Sequence, residues 1–143
     1  MIAIDTNVLV HAHRGDAPSH TKAKAAIQTV AETDARFAIP WPCLYEFLAV
    51  VTHARVFKPP TPLAAALAQV DAWLASPGAS LLAEDETAWA DARRVLTAAG
   101  TTGAQVHDAK IAALCLRHGV REFWTADRDF SRFPSLRTRN PLV

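Results

Sequence analysis

Long apolar runs are absent from this chain of 143 residues, and so are repeats and low-complexity tracts. No stretch approaches the roughly 18 uncharged residues that a membrane helix requires. The first residues show no basic segment followed by an apolar core and a cleavage site, so we expect no signal peptide. Half of the residues are hydrophobic and a fifth are charged, which excludes a disordered chain. We therefore expect one globular domain over residues 1–143 and no membrane contact.

Cysteine is also scarce, with Cys43 and Cys115 as the only two. This number excludes a disulfide-rich secreted scaffold, and the separation of the two residues does not match a zinc site. Each cysteine lies in an apolar helical pattern, so we predict two buried thiols. Together with the missing signal peptide, this predicts a cytoplasmic protein in a reducing environment.

An excess of either sign of charge is nearly lacking, because 15 Lys and Arg residues face 14 Asp and Glu residues and the formal net charge is +1. If four carboxylates were gathered in one site, the rest of the surface would carry a formal charge four units higher, about +5. A mildly basic body around an acidic site suits a polyanionic substrate that is held through a metal ion.

Short apolar runs alternate along the chain with amphipathic segments. The predicted strands cover residues 2–4, 37–40, 80–83 and 122–125, with an edge strand in 138–143. The predicted helices cover residues 8–12, 19–32, 44–57, 62–75, 86–99 and 107–118. This alternation predicts an α/β three-layer sandwich with a mainly parallel central sheet.

Apolar spacing also predicts which helix faces are buried. For the helix that begins after Thr61, the predicted buried face consists of Leu63, Leu67, Val70 and Leu74. Trp89 and Trp124 are predicted to lie in the core, whereas Trp41 is the tryptophan best placed to reach the surface and stack on a base.

The first strand ends abruptly at Asp5. Open parallel sheets collect their functional groups just beyond the carboxyl ends of their strands. If 2–4 is a central strand, Asp5 lies on that edge of the sheet. An aspartate after a strand is often only a turn former. A functional role for Asp5 therefore depends on whether later acids lie close to it in the fold.

Four later acids occupy similar positions, and each also has a simpler explanation. Glu46 lies in an apolar helical segment, where a glutamate is usually a solvated surface residue. Asp108 lies in the first turn of a helix, where the helix dipole favours any acid by about 0.3–1 kcal/mol. Asp127 and Asp129 follow the 122–125 strand, as turn-forming residues often do.

Taken together, these acids predict a metal site. Carboxylates about 4 Å apart repel each other by about 4 kcal/mol per pair at an effective dielectric constant near 20. A divalent cation offsets this repulsion, and ligands that are all oxygen favour Mg²⁺ or Mn²⁺ over zinc. Such an ion activates water for attack on a phosphodiester. Thr6, Asn7 and Thr125 supply hydroxyl and amide groups that can orient water or phosphate around the acids.

The arrangement of these motifs resembles the PIN-domain nucleases, and within them the VapC toxins of bacterial toxin–antitoxin pairs. The resemblance is carried by Ile-Ala-Ile-Asp-Thr-Asn at residues 2–7, Glu46 in a helix, His-Asp-Ala at 107–109 and Trp-Thr-Ala-Asp-Arg-Asp-Phe at 124–130. The motifs span almost the whole chain in matching order.

The resemblance implies a Mg²⁺- or Mn²⁺-dependent endoribonuclease that cleaves structured cellular RNA and is silenced by a cognate antitoxin. It assigns the acidic quartet to Asp5, Glu46, Asp108 and Asp127. Members of the family differ in whether the position of Asp129 contributes, so Asp129 is an additional candidate ligand. We also expect a homodimer, and we expect the antitoxin to bind the apolar helical surface around 19–30 and 44–57.

Other functions fit the sequence less well. A phosphatase of the haloacid dehalogenase type needs a second aspartate two residues after the first, where this chain has Asn7. A zinc site fails because His11 and His13 have no third soft ligand at zinc spacing. The alternative from another class is a catalytically silent PIN-like scaffold that binds RNA or protein.

Overall fold

A five-stranded parallel sheet, flanked by helices, forms the centre of the protein in a computed structural model that describes residues 1–33 and 35–143. The strands lie in the order β3-β2-β1-β4-β5. They are β1 (Ile2–Ile4), β2 (Phe37–Pro40), β3 (Ala79–Leu82), β4 (Glu122–Trp124) and β5 (Thr138–Arg139). The predicted parallel α/β architecture is therefore confirmed.

Within residues 1–33 and 35–143, six helices connect these strands. They are α1 (Thr6–His13), α2 (His20–Glu32), α3 (Trp41–Val51), α4 (Leu63–Leu74), α5 (Ala88–Ala99) and α6 (Gln105–Arg117), and a short 3-10 helix follows at Arg128–Arg132. Within the described part of the chain, no helix combines the length and apolarity needed to cross a membrane.

The central strand is β1, which pairs in parallel with both of its neighbours. Ile2 is in register with Phe37 of β2 on one side and with Glu122 of β4 on the other. Ala3 and Ile4 are completely buried, as expected for a strand covered on both faces. Because β1 and β4 run in the same direction, the residues that follow their carboxyl ends meet at one edge of the sheet.

The third helix begins and ends earlier than the sequence predicted. It was predicted for residues 44–57 but spans Trp41–Val51. Pro42 lies in its first turn, where a missing N–H group does no harm because the first N–H groups of a helix have no partner within it. At the other end, the backbone N–H of Thr61 donates to the carbonyl oxygen of Val51 at 2.8 Å. The chain from residue 52 to 62 therefore forms a loop beside the sheet edge.

The buried face of α4 differs from the predicted one. The residues that it buries are Ala66, Val70 and Trp73. Leu63 and Leu67 are instead 61% and 44% exposed. The ring of Trp73 packs against Phe47 of α3 with 4.9 Å between ring centroids. Because the helix buries this larger ring, the two leucines face solvent. The spacing of apolar residues alone did not show that Trp73, and not Leu63 and Leu67, would face the core.

The prediction for Trp89 was also wrong. This side chain is 65% exposed, whereas Trp124 is buried as predicted and Trp41 is partly exposed. The residue that α5 buries near its start is Ala88. Tryptophan is large and is rarely covered completely. A tryptophan in the first turn of a helix is therefore weak evidence that this face of the helix is buried.

The two cysteines are free thiols in the core, as predicted. Burial raises the pKa of the Cys115 thiol to about 12 and that of the Cys43 thiol well above its usual value. Both side chains are therefore neutral at physiological pH.

Candidate active site

Asp5, which directly follows β1, is the N-terminal cap of α1. Its side chain accepts a hydrogen bond from the backbone N–H of Thr6 at 2.8 Å, which satisfies one of the unpaired N–H groups at the start of the helix. The backbone N–H of Asp5 donates to the carbonyl oxygen of Trp124 at 2.9 Å. These two bonds fix the carboxylate at the junction of β1 and β4.

Three more side chains donate to the Asp5 carboxylate. They are Thr125 Oγ1 at 2.6 Å, Asn7 Nδ2 at 3.1 Å and Cys43 Sγ at 3.4 Å. Burial raises the pKa of the Asp5 carboxyl, although the bonds from Thr125, Thr6 and Cys43 lower it. Asp5 is 5% exposed, and these hydrogen bonds hold its carboxylate in one orientation.

Thr125 and Asn7 join the first strand to the turn that carries Asp127. The hydroxyl of Thr125 accepts a hydrogen bond from the backbone N–H of Asp127 at 3.0 Å. The side-chain oxygen of Asn7 accepts one from the backbone N–H of Ala126 at 3.0 Å. These contacts bring Asp127 to the same cleft as Asp5, although the two residues are far apart in sequence.

Glu46 enters from α3 and is oriented by Thr6. The Thr6 hydroxyl donates to Glu46 Oε2 at 3.0 Å. Glu46 is exposed, while Thr6 is buried. The side chain of Glu46 is thereby held at the cleft, where it remains accessible to solvent. Its charge also raises the pKa of Asp5.

Asp108, Asp127 and Asp129 form the tightest part of the site. Each offers a carboxylate oxygen, and these three oxygens all lie within 4.8 Å of one another. Partial burial raises the pKa of the Asp108 carboxyl, and the charges of Asp127, Asp5, Asp129 and Glu46 raise it further. Asp127 Oδ1 also accepts a hydrogen bond from the backbone N–H of Asp129 at 2.8 Å, which positions the second acid of the turn. Asp129 thus lies within the cluster.

A cleft of about 340 Å³ contains four of the five acids, and Asp129 lines an adjoining cleft. Asp5, Glu46, Asp108 and Asp127 all line the first cleft, together with Thr6 and Asn7. Thr125 lies beneath it, 4% exposed. The acids that the sequence assigned to the metal site, and the supporting residues Thr6, Asn7 and Thr125, therefore converge at one edge of the sheet.

The sequence did not identify two parts of this site. One is Cys43, whose thiol lies against Asp5. Cys43 is three residues before Glu46 and so shares a face of α3 with it, which is the sequence pattern that could have indicated its place in the site. The other is an apolar end of the cleft, formed by Val10, Val50 and Phe57. The guanidinium of Arg14 lies 4.4 Å from the centroid of the Phe57 ring. Because α3 was predicted to be too long, the loop that carries Phe57 was not foreseen.

Clustered carboxylates at the carboxyl edge of a parallel sheet are suited to binding a hard cation and a phosphate ester. The model of the family described as the PIN domain matches residues 2–136 of this sequence. The chain belongs to the PIN-domain family.

Curated relatives place this PIN domain among the VapC ribonucleases. It is 37% identical to ribonuclease VapC43 of Mycobacterium tuberculosis over 142 residues, which cover 99% of this chain and 96% of the relative. It is 31% identical to ribonuclease VapC48 of the same organism, covering 96% of this chain and 95% of the relative. Similarity over the whole length means that the site residues lie within the aligned region.

Solved structures show the same fold at lower sequence identity. VapBC2 from Rickettsia felis, solved bound to a DNA fragment from its promoter, superimposes with a TM-score of 0.70 at 17% identity and covers 98% of both chains. VapC20 of M. tuberculosis, described as a sarcin-ricin loop cleaving toxin, gives a TM-score of 0.66 at 18% identity and covers 92% of this chain and 93% of that one. The parallel sheet and its flanking helices thus share the fold of these VapBC2 and VapC20 structures.

Proposed function

We propose that this VapC-family PIN domain is the toxin of a type II toxin–antitoxin pair and hydrolyses RNA at the acidic cleft in a reaction that depends on a divalent cation. The observation that supports this most directly is the convergence of Asp5, Glu46, Asp108 and Asp127 on one cleft. A fold that needed no ligand here would gain nothing from keeping these repelling carboxylates together.

The donor atoms fit Mg²⁺ or Mn²⁺. They are carboxylate oxygens, which suit these hard cations, and no sulfur or imidazole ligand is needed to complete the set. We propose Asp108, Asp127 and Asp129 as the closest group of ligands, with Asp5 and Glu46 on the adjoining wall. When bound, the ion would lower the pKa of a water molecule and offset negative charge on the phosphodiester.

The protein side chains have distinct parts in this proposal. Asp5 is the rigid ligand, because four donors hold its carboxylate. Glu46 is exposed and is fixed through only one oxygen by Thr6, so its other oxygen is free to accept a proton from the attacking water. Thr125 and Asn7 hold Asp5 and the Asp127 turn at a constant separation, which preserves the geometry of the cluster.

We also propose the partners that the family suggests. Several of the solved structures that share this fold are named as VapBC complexes, so we propose a cognate antitoxin for this chain. A homodimer, an RNA substrate and a cytoplasmic location complete the proposal. The apolar end of the cleft at Val10, Val50 and Phe57 offers an antitoxin side chain a site close to the acids.

The deciding experiment is RNA cleavage by the purified protein, with new 5′ ends mapped in Mn²⁺, in Mg²⁺ and in EDTA. We expect cleavage with either ion and none in EDTA. Asp127→Asn should reduce cleavage at least a hundredfold, while the asparagine oxygen can still accept the bond from the N–H of Asp129. Asp71→Asn is the matched control, since Asp71 is an exposed aspartate on α4.

Two results would contradict the proposal. Cleavage that is undiminished by EDTA would remove the metal-dependent mechanism. Tight RNA binding without cleavage in Mn²⁺ would favour the alternative, a catalytically silent scaffold.

A further inference from the structure

Two aromatic rings of α3 stack on each other at the surface beside the acidic cleft. The rings of Trp41 and Tyr45 are 5.6 Å apart between centroids, with an interplanar angle of 24°. They are four residues apart, so they share one face of the helix. Tyr45 is 64% exposed, and Trp41 is partly buried against the core. We call this pair the aromatic ledge.

The aromatic ledge is continuous with the acidic cleft. A second cleft of about 480 Å³ shares Glu46, Asp108 and Ile111 with the first. A third cleft of about 390 Å³ is lined by the ledge and shares Pro42 and Lys110 with the second. The three clefts thus form one surface track from the acids to the aromatic pair.

The aromatic ledge lies close to Glu46 along the axis of α3. Tyr45 immediately precedes Glu46, and Trp41 lies five residues before it, about 7.5 Å along the helix axis. Successive nucleotides in a stacked strand rise about 3.4 Å. Along the axis of α3, the ledge therefore lies within about two nucleotide steps of Glu46.

One cation lies between the two parts of the track. Lys110 lines both the second and the third cleft, two residues after Asp108 on α6. Among residues 1–33 and 35–143, it forms no salt bridge. Glu84 also lines the third cleft, so the charge there is balanced and a base can be held mainly by stacking.

We propose that the aromatic ledge stacks a nucleobase from a single-stranded segment of the substrate RNA, adjacent to the phosphodiester at the acidic cleft, while Lys110 contacts the intervening phosphate. This inference rests on the proposed function and adds a binding subsite to it. Aromatic side chains that stack bases are tolerant of sequence, because every base presents a flat π-face. The ledge therefore favours an unpaired, exposed base over any particular sequence.

Binding of a fluorescein-labelled adenosine pentaribonucleotide, followed by fluorescence anisotropy in EDTA, tests the ledge without cleavage. Tyr45→Ala should weaken binding about tenfold, the typical loss for one stacked base. Trp41→Ala should act in the same direction, and Trp41→Phe should retain most of the affinity because it keeps an aromatic face. Lys110→Ala should reduce the slope of log K against log [KCl] by about 0.7, the value for one phosphate contact in a single strand.

The matched control is Trp89→Ala, which removes an aromatic ring of similar exposure, 65%, from α5. It should leave pentanucleotide binding and its salt slope unchanged. Equal pentanucleotide affinities for Tyr45→Ala and Trp89→Ala would overturn the proposal that the ledge binds a base. So would sedimentation in which Tyr45→Ala converts a dimer to a monomer, since a second copy of the chain would then cover the rings.

The ledge and the proposed function can fail separately. If the protein cleaves RNA with Mn²⁺ and the Tyr45 and Trp41 variants change neither pentanucleotide binding nor KM, only the ledge is wrong. If the pentanucleotide binds through these residues but no RNA is cleaved with Mn²⁺, the nuclease proposal is wrong and the ledge stands as an RNA-binding surface.

Discussion

The hydroxyl of Thr125 donates a 2.6 Å hydrogen bond to Oδ2 of Asp5, across a separation of 120 residues in the sequence. The Thr125 hydroxyl oxygen also accepts a hydrogen bond from the backbone N–H of Asp127 at 3.0 Å. One buried side chain therefore controls both the orientation of the first acid and the path of the turn that carries another. Two of the proposed ligands are positioned by a residue that need not touch the metal or the RNA.

We expect Thr125→Val to separate these two acids. The substitution keeps the shape of the side chain but removes the donor and the acceptor, so the free energy of unfolding should fall by about 1–3 kcal/mol. The affinity for Mn²⁺ should fall about tenfold or more, because positioning residues of this kind tune metal sites. Urea unfolding and calorimetric titration with Mn²⁺ measure the two effects. Thr125→Ser retains the hydroxyl and should stay close to wild type in both, so equal losses in the two variants would contradict this role.

Asp5 and Asp108 should respond in opposite ways to replacement by asparagine in the metal-free protein. Asparagine at position 5 would direct an NH₂ group at donors that now bond the carboxylate, notably the N–H groups of Thr6 or Asn7. Relief of the buried charge offsets part of this loss, so Asp5→Asn should lower stability by about 1 kcal/mol. Asp108→Asn removes a charge that four neighbouring acids oppose and should raise the melting temperature by about 1–3 °C.

The stabilisation by Asp108→Asn should depend on pH. The pKa of Asp108 is raised in the folded protein above its ordinary value of 3.8. The folded state therefore favours the protonated carboxyl, and this contribution to stability is present below pH 3.8 and is lost as the pH rises through the folded pKa. The melting temperature difference between Asp108→Asn and wild type should be largest near pH 7 and vanish towards pH 4 in EDTA. A difference that grows on acidification would contradict the repulsion.

Added Mn²⁺ should give wild type a higher melting temperature than both asparagine variants. A ligand that binds only the folded state stabilises it by mass action, so wild type should melt at a higher temperature with Mn²⁺ than in EDTA. Both asparagine variants should lose most of that increase. If the increase survived in both, Asp5 and Asp108 would not be metal ligands.

A glycine beside the sheet provides a stability test that is independent of the active site. A Cβ atom at Gly78 would lie 2.5 Å from the carbonyl oxygen of Ala35, and the carbonyl oxygen of Gly78 accepts the N–H of Phe37 at the start of β2. Gly78→Ala should therefore reduce the free energy of unfolding by about 1–3 kcal/mol. Gly15→Ala, at a loop position with no heavy atom within 4 Å of the added Cβ, is the control in thermal melts and should remain near wild type.

The strands and the acids were predictable because each has a local signal. An uncharged β-branched run that stops at Asp5 defines both a strand and the edge at which it ends. A second strand pattern ends at Trp124 and Thr125 and is followed by Asp127. Because parallel strands end at the same edge of a sheet, this predicts that Asp127 and Asp5 lie at one edge. The hydrogen bonds of Thr125 and Asn7 follow from that geometry, so their supporting positions were predictable from the sequence, whereas their roles in catalysis stay a prediction.

The errors concern features that tertiary packing decides. Leu63 and Trp89 are apolar residues at helical spacing, yet both are exposed because Trp73 and Ala88 occupy the available core. The early end of α3 depends on the N–H of Thr61, which lies ten residues beyond the helix and bonds to Val51. The local sequence pattern does not show which distant residues will pack against a helix or bond to its last turn, because those contacts form only in the folded chain.

The position of β1 between β2 and β4 has a kinetic consequence. Its pairing with β4 closes a loop of about 120 residues, and contacts between such distant segments form slowly and late. A chain that has collapsed but not yet paired these strands holds Asp5 and Asp127 apart. During refolding, recovery of nuclease activity should follow the closing of this loop and not the earlier formation of helices. An incompletely folded molecule of this family would then be harmless to the RNA around it.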